Sequence, residues 1–157
     1  MSASEAGISR LLTRIDARWH ELQNSIEGLT GAQLVEPGTM DEWSIRDMLA
    51  HVTTWEEQAL EHLPTIIAGG RPSKYVIYGG IDGFNAMMTE KKRGLSIDEV
   101  KRQMADTHRR LLEFVRSAPS EHFSSDTRAR RRLRWDTYGH YALHAKAIRD
   151  WRNGTNV

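Results

Sequence analysis

The sequence predicts an all-α protein built as a four-helix bundle, and three observations predict it. Four separate segments repeat apolar residues at spacings of three and four, the period of a helix with one buried face. Two of these segments open on a serine followed three residues later by an acid, the mark of a capped helix start. No stretch alternates apolar and polar residues as a strand would, so the helices have only one another to pack against.

The first helix carries Ile8, Leu11, Leu12, Ile15, Trp19, Leu22, Ile26 and Leu29 in one stripe, closed by Gly28 and Gly31. The second starts in "DEWSIRDMLAHVTTWEEQALEHL", with Ser44 as N-cap and Asp47 three residues on. Ile45, Met48, Leu49, Val52, Trp55, Ala59, Leu60 and Leu63 form its buried face. Pro64 either kinks or ends it, and "AGGRP" at Ala68 to Pro72 breaks it. Residues 69–80 read as a glycine-bounded loop whose apolar tetrad, Tyr75 to Tyr78, is a lid or a short strand. "IDGFNAMMTEKKRG" gives a short extra helix with Asp82 or Asn85 near its start. The third long helix opens on the Ser96–Glu99 capping box, runs through Ile97, Val100, Met104, His108, Leu111, Val115 and Ala118, and stops at Pro119. A linker, "SEHFSSDTRARRRLR", precedes the fourth helix, from about Trp135 to Trp151, which Asn153 and Gly154 end. The long middle segment means that the second and third helices need not be hairpin neighbours.

Composition narrows the function. A chain of 157 residues suggests a single domain spanning 1–157. Such a domain buries roughly 68–70% of its unfolded surface without disulfides. The absence of cysteine removes thiol nucleophiles, iron–sulfur clusters and cysteine-type zinc sites. The N-terminus has no apolar signal region and no run reaches the length of a membrane span, so a cytoplasmic protein with no membrane partner is expected. A net charge of +1 from 22 basic and 21 acidic residues leads to the expectation of no nucleic-acid partner.

The stretch "WDTYGHYALHAKAIRDW" holds His140 and His144 four residues apart, on one helix face and one turn from each other. Such a pair can hold one ion, or it can be two histidines on a solvated flank; spacing alone leaves both open. A third ligand must come from elsewhere, and His51, on the flank of the second helix's stripe, is the best candidate. Three neutral imidazoles with one open position suit a catalytic divalent ion such as zinc or nickel. There is no H-E-x-x-H, so this is not the metalloprotease pattern.

Two motifs then point to a family. "EWSIRDMLAHVTTWEE" resembles the second-helix signature of the DinB/YfiT-like metalloenzymes, and "HYALHAKAIRDWR" resembles their last helix, with its H-x-x-x-H pair. The resemblance implies a four-helix bundle of up-down-down-up topology and a metal triad on His51, His140 and His144. It implies thiol-dependent transferases or isomerases that use a low-molecular-weight thiol, alongside damage-induced stress proteins. Homodimers are also implied. A related ClbS/DfsB-type branch protects cells from reactive toxins and need not use metal. A small-molecule substrate is expected in either case, and residues 69–93, an insertion relative to a compact member, are expected to border its pocket.

With a thiol cofactor or water on a divalent ion, the expected mechanism is attack of an activated nucleophile on an electrophilic carbon. Asp47 and Asp136, each one turn before a candidate ligand, are either imidazole-orienting partners or ordinary helix-start acids. His108 lies within an apolar stripe and reads as a packed, hydrogen-bonded histidine more readily than as a base or extra ligand. His20, His62 and His122 read as surface residues. Trp19, Trp55 and Trp151 read as packing, and Trp43 as a hydrophobic staple. The "RARRRLR" run reads as a solvated loop, in preference to a grip on an anionic thiol, a phosphate or nucleic acid.

Overall fold

A computed structural model describes residues 2–157. Among them no strand is found, and seven α-helices follow one another: α1 (Ala3–Ser25), α2 (Gly31–Val35), α3 (Ile45–Ile67), α4 (Ile81–Lys92), α5 (Ile97–Ser117), α6 (Arg128–Asp136) and α7 (Tyr138–Thr155). The four predicted long helices are α1, α3, α5 and α7. Their starts are chemically specified. Ser2, Thr30, Ser44 and Ser96 each form a complete capping box with the residue three places on, which satisfies donors that a helix start leaves open.

Cross-helix contacts give the topology. Along α1, Arg14 sits over the Tyr138 ring, Glu21 pairs with Arg149 at 2.9 Å, and the Ser25 carbonyl accepts from Arg152 at 2.9 Å. Both numbers rise together, so α1 and α7 are parallel. The start of α1 meets Arg116 and Ala118, whereas its end shares a groove with Lys101 and Met104, so α5 runs opposite to α1. His51 of α3 faces α7, and Gln58 one or two turns later reaches, through the Tyr75 hydroxyl, Arg132 of α6, which precedes α7. That makes α3 antiparallel to α7. The order is up-down-down-up, and residues 68–96 cross back between the two parallel helices α3 and α5.

The inner faces close on one core. Leu11, Ile15 and Leu22 of α1, Met48, Leu49 and Val52 of α3, Leu111 and Val115 of α5, and Tyr141 and Ile148 of α7 are all fully buried. Hydrophobic burial at these positions is the main source of stability. Pro64 does not end α3, which continues to Ile67. Gly31 opens α2 instead of closing the first helix, because the Thr30–Gln33 capping box starts a new one.

Of three further expectations, two change and one holds. The Tyr75–Tyr78 tetrad is neither strand nor loop but one turn of 3-10 helix, ended by Gly79 at φ 83°. The extra helix forms as α4, with Gly80 as its N-cap. The arginine run is not a loop: it is α6, capped by Thr127 and anchored in the core by Ala129 and Leu133. Arg128 donates to the Gly70 carbonyl at 2.8 Å and Arg132 to the Tyr75 hydroxyl at 2.7 Å, so α6 latches the 69–80 segment onto the bundle.

Gly83 seats that segment on α4. A Cβ there would fall 1.8 Å from the Tyr78 carbonyl oxygen, which is backbone and cannot swing aside. Gly83→Ala is therefore expected to cost about 1–3 kcal/mol, the usual range for overpacking. It should also detach the Tyr75–Tyr78 turn. Denaturant melts, with proteolysis to report on the segment, check this; an unchanged midpoint would contradict the packing described.

Candidate metal centre

The site is assembled from two bundle helices. His51 stands two turns into α3, whose start the Ser44 cap fixes. His140 and His144 are one turn apart on α7. The turn before α3 is tight: the Trp43 amide donates to the Met40 carbonyl at 2.9 Å, with Asp41 in the left-handed region at φ 53°. It presents Trp43 against His51, ring centroids 4.8 Å apart.

The structure brings all three sequence-predicted ligands together. His51 Nε2 lies 2.9 Å from His140 Nε2, which lies 2.9 Å from His144 Nε2. One ligand atom from each ring falls within 4.8 Å of the others, a group able to hold a metal ion. Burial keeps the rings neutral. It pushes His51 down to about 3, helped by the charges of His144 and Lys92. It pushes His140 down to about 2, helped by His144 and His51, and His144 to about 4. Each neutral ring offers one lone pair at the pH where the others do.

Hydrogen bonding alone does not account for this arrangement. His140 Nε2 carries either one hydrogen or one lone pair, yet it faces two other ring nitrogens at contact distance. Three lone pairs aimed at a common cation satisfy all three. A tetrahedral ion with Zn–N bonds of about 2.0–2.1 Å needs its nitrogens roughly 3.3 Å apart. The two pairs that include His140, at 2.9 Å, need to part by a few tenths of an ångström to reach it. The far ring nitrogens, Nδ1 of His140 and His144, are buried and bond to no protein group among the described residues.

The expected acidic partners do not supply that bond. Asp47 accepts from the Ser44 amide at 3.0 Å as part of the α3 cap. Asp136 is taken by Arg132 at 2.6 Å, one turn back on the same face of α6. Burial raises the Asp136 carboxyl to about 6 against the opposing pull of Arg132. His108 is the packed histidine expected. It stacks on Trp19 at 3.7 Å, and its Nδ1 bonds the buried Glu56 at 3.0 Å. His20 is exposed, whereas His62 and His122 are half-buried, with His62 bonded to Gln58.

A cleft of about 570 Å³ opens over the triad. Trp43, Trp55, Trp135 and Leu143 make its apolar walls, and Tyr75, Asn85, Arg132 and Asp136 its polar side. Sequence reasoning missed most of these. From sequence, Trp43 and Trp55 are indistinguishable from staple and packing residues, and Asn85 from a helix-start residue. Trp135, 73% exposed, and Leu143, 62% exposed, stand at the rim as large apolar groups left to solvent, the one signal that marks a ligand surface.

The helix order and the buried imidazole cluster facing an aromatic cleft define a four-helix bundle of the DinB type with a candidate metal centre between its second and last long helices. The chain belongs to the DinB superfamily, whose family model matches residues 14–147. Three solved structures share the fold. The one titled Sibling Lethal Factor Precursor - DfsB is 15% identical, with a TM-score of 0.76 over 99% of this chain and 98% of its own. An uncharacterised protein from Escherichia coli UTI89 is 14% identical, with a TM-score of 0.76 over 96% and 95%. The colibactin self-resistance protein ClbS, in complex with a dsDNA, is 12% identical, with a TM-score of 0.77 over 92% and 94%. Among proteins of curated function, none matches the chain in sequence.

The ClbS complex overturns one expectation. Exclusion of a nucleic-acid partner rested on net charge, yet a protein of this fold has been crystallised with dsDNA. Net charge sums over the whole chain and says nothing of where charge gathers; α6 alone concentrates five arginines in nine residues. The exclusion is withdrawn. Among the described residues, no helix is long and apolar enough to cross a membrane.

Proposed function

We propose that this chain is a divalent-metal-dependent enzyme of the DinB superfamily, with zinc or nickel held by His51, His140 and His144. It acts in the cytoplasm on a small electrophilic substrate seated in the aromatic cleft, with a low-molecular-weight thiol or water as the nucleophile. The convergence of three neutral, buried imidazole nitrogens at the foot of that cleft carries the reading. When bound, a divalent ion with an open position supplies Lewis acidity and lowers the pKa of a thiol or water.

The chain's own residues do the rest. Burial keeps all three rings unprotonated well below neutrality, so their lone pairs are available throughout the physiological range. Trp43 and Trp55 wall His51 and exclude water from that side. With no cysteine, the protein provides no thiol of its own, so a thiol nucleophile would enter through the cleft. The Arg132–Tyr75–Gln58 chain of hydrogen bonds holds the 75–78 turn at the cleft's edge.

The test is turnover of a panel of thiols and small electrophiles by zinc- or nickel-loaded protein beside chelator-treated protein. Metal-dependent conjugation or hydrolysis, lost on chelation, is the expected result. Equal rates with and without metal would sink the reading. A second reading is a metal-independent resistance protein that binds or hydrolyses a reactive molecule. It draws on the likeness in fold to the self-resistance protein ClbS and to DfsB, and on the apolar cleft, which suits ligand capture with or without an ion. Activity or ligand binding that survives full metal removal would favour it.

A further inference from the structure

Two polar side chains of the histidine cleft, apart from its indoles, hold hydrogen-bond donors that the protein itself does not use. The first is the amide of Asn85 on α4. The Trp55 indole nitrogen can only donate, and it donates to Asn85 Oδ1 at 3.0 Å. That bond fixes which way round the amide sits. Among the described residues, no protein group accepts from the Nδ2 amino group.

The second donor is Arg132. Its side chain is only 18% exposed, its Nε is taken by Asp136 at 2.6 Å, and its Nη2 by the Tyr75 hydroxyl at 2.7 Å. Among the described residues nothing accepts from Nη1. A guanidinium held at two edges is rigid, so a third bond costs little further ordering, and a half-buried cationic donor calls for an acceptor.

No other cleft group competes for that role. The Tyr75 hydroxyl is spent, accepting from Arg132 and donating to Gln58 Oε1 at 3.0 Å. Asp136 is engaged at the opposite edge of the guanidinium. The remaining lining is indole, aliphatic and the three imidazoles, whose Nε2 atoms face one another. Arg132 is paired with Asp136, so the pair carries no excess charge, which disfavours a phosphate dianion; the free Nη1 offers one donor edge, enough for a single carboxylate.

From this the geometry points to a substrate class: a small molecule with an apolar or aromatic body and one carboxylate. Its body lies against Trp43, Trp55 and Trp135, and its carboxylate is received by Arg132, with Asn85 as a second donor. The inference rests on the cleft being the substrate site of the proposed metal centre. Arg132 is then a specificity-determining residue.

The test compares 3-phenylpropionate with 3-phenylpropan-1-ol, which has the same skeleton without the charge. Binding is followed by tryptophan fluorescence on the full chain, both chelator-treated and zinc-loaded. The acid is expected to bind about tenfold more tightly than the alcohol in both metal states, the worth of one charge-assisted bond. Arg132→Met should bring the acid down to the level of the alcohol measured on the same variant. Arg132→Lys should keep part of the preference, and Asn85→Ala should weaken the acid alone. The last two keep the test open should Arg132→Met, which strands Asp136, fail to fold.

Equal affinities in the wild type would overturn the inference. So would no binding of either probe, or a preference that survives Arg132→Met. A preference seen only with zinc present would also overturn it, because the ion and not Arg132 would then be the acceptor. Metal content measured on the same samples separates the two proposals. Acid preference without metal binding defeats the metal centre alone, and stoichiometric zinc without acid preference defeats this inference alone.

Discussion

Replacing His140 by alanine is expected to abolish stoichiometric zinc or nickel binding. His140 is the shared member of the triad, its Nε2 being 2.9 Å from both of the others. Without it, His51 and His144 face each other with ring centroids 5.1 Å apart and offer two ligands where a stable site needs three. Loss of a single supporting partner around a metal typically costs 10–100-fold in affinity, so loss of a ligand should cost more than about a hundredfold. Calorimetric titration of untagged protein checks this, with His20→Ala as the exposed control. The variant should still fold. Burying neutral imidazoles whose far nitrogens are unbonded is itself costly, so metal-free His140→Ala should melt at or above the temperature of metal-free wild type. Undiminished zinc binding in His140→Ala would defeat the triad; a large drop in melting temperature would mean that the residue is structural.

Acid should destabilise the metal-free protein steeply. His51, His140 and His144 have folded-state values of about 3, 2 and 4, all below the ordinary value of 6.5. As pH falls through 6.5 the unfolded chain takes up three protons that the folded chain refuses. Stability is therefore full above about pH 7 and declines from about pH 6.5, His144 ceasing to contribute near pH 4, His51 near 3 and His140 near 2. Each histidine contributes up to about 1.4 kcal/mol per pH unit in that window.

Asp136 acts in the opposite sense. Its folded value, about 6, lies above the ordinary 3.8, so the folded chain holds an extra proton between those limits. Glu56, raised by burial, adds to that offset. The net slope near pH 5 is then roughly 1–3 kcal/mol per pH unit, a large share of the 5–15 kcal/mol that holds a typical domain folded. Denaturant midpoints of chelator-treated protein at pH 7, 6 and 5 measure it. His140→Ala should reduce the slope by about one proton, and added zinc should restore the midpoint at pH 6. A flat profile between pH 7 and pH 5 would show that the three rings are not buried as neutral groups.

Much of the fold was legible because its determinants are local. Apolar stripes such as Leu11–Ile15–Leu22 and the caps at Ser44 and Ser96 report helices wherever they fall, and they marked all four long ones. The His140–His144 pair was legible for the same reason, since one turn separates them on one helix. His51 was a candidate from its place on the flank of the α3 stripe, and the family's pattern strengthened it, because nothing in spacing says which residue of α3 meets α7.

The helix of the arginine run, α6, was hidden by its own composition. Only Ala129 and Leu133, at i and i+4, face the core there, and five arginines mask that short stripe. Together with the Thr127 cap they were the signal that could have found it. Asp136 misled because its partner, Arg132, sits at i−4 on the same face, nearer than any imidazole. The cleft itself was out of reach: Trp55 and Asn85 are thirty residues apart, and only the tertiary fold makes them hydrogen-bond partners.

The most direct test of the central claim is anomalous diffraction at the zinc and nickel edges. The crystals should be of untagged protein purified without nickel resin, with a zinc soak alongside. The account predicts one strong peak per chain among the Nε2 atoms of His51, His140 and His144, with its open side toward the cleft. No peak there even after the soak, or an ion bound elsewhere, would contradict it.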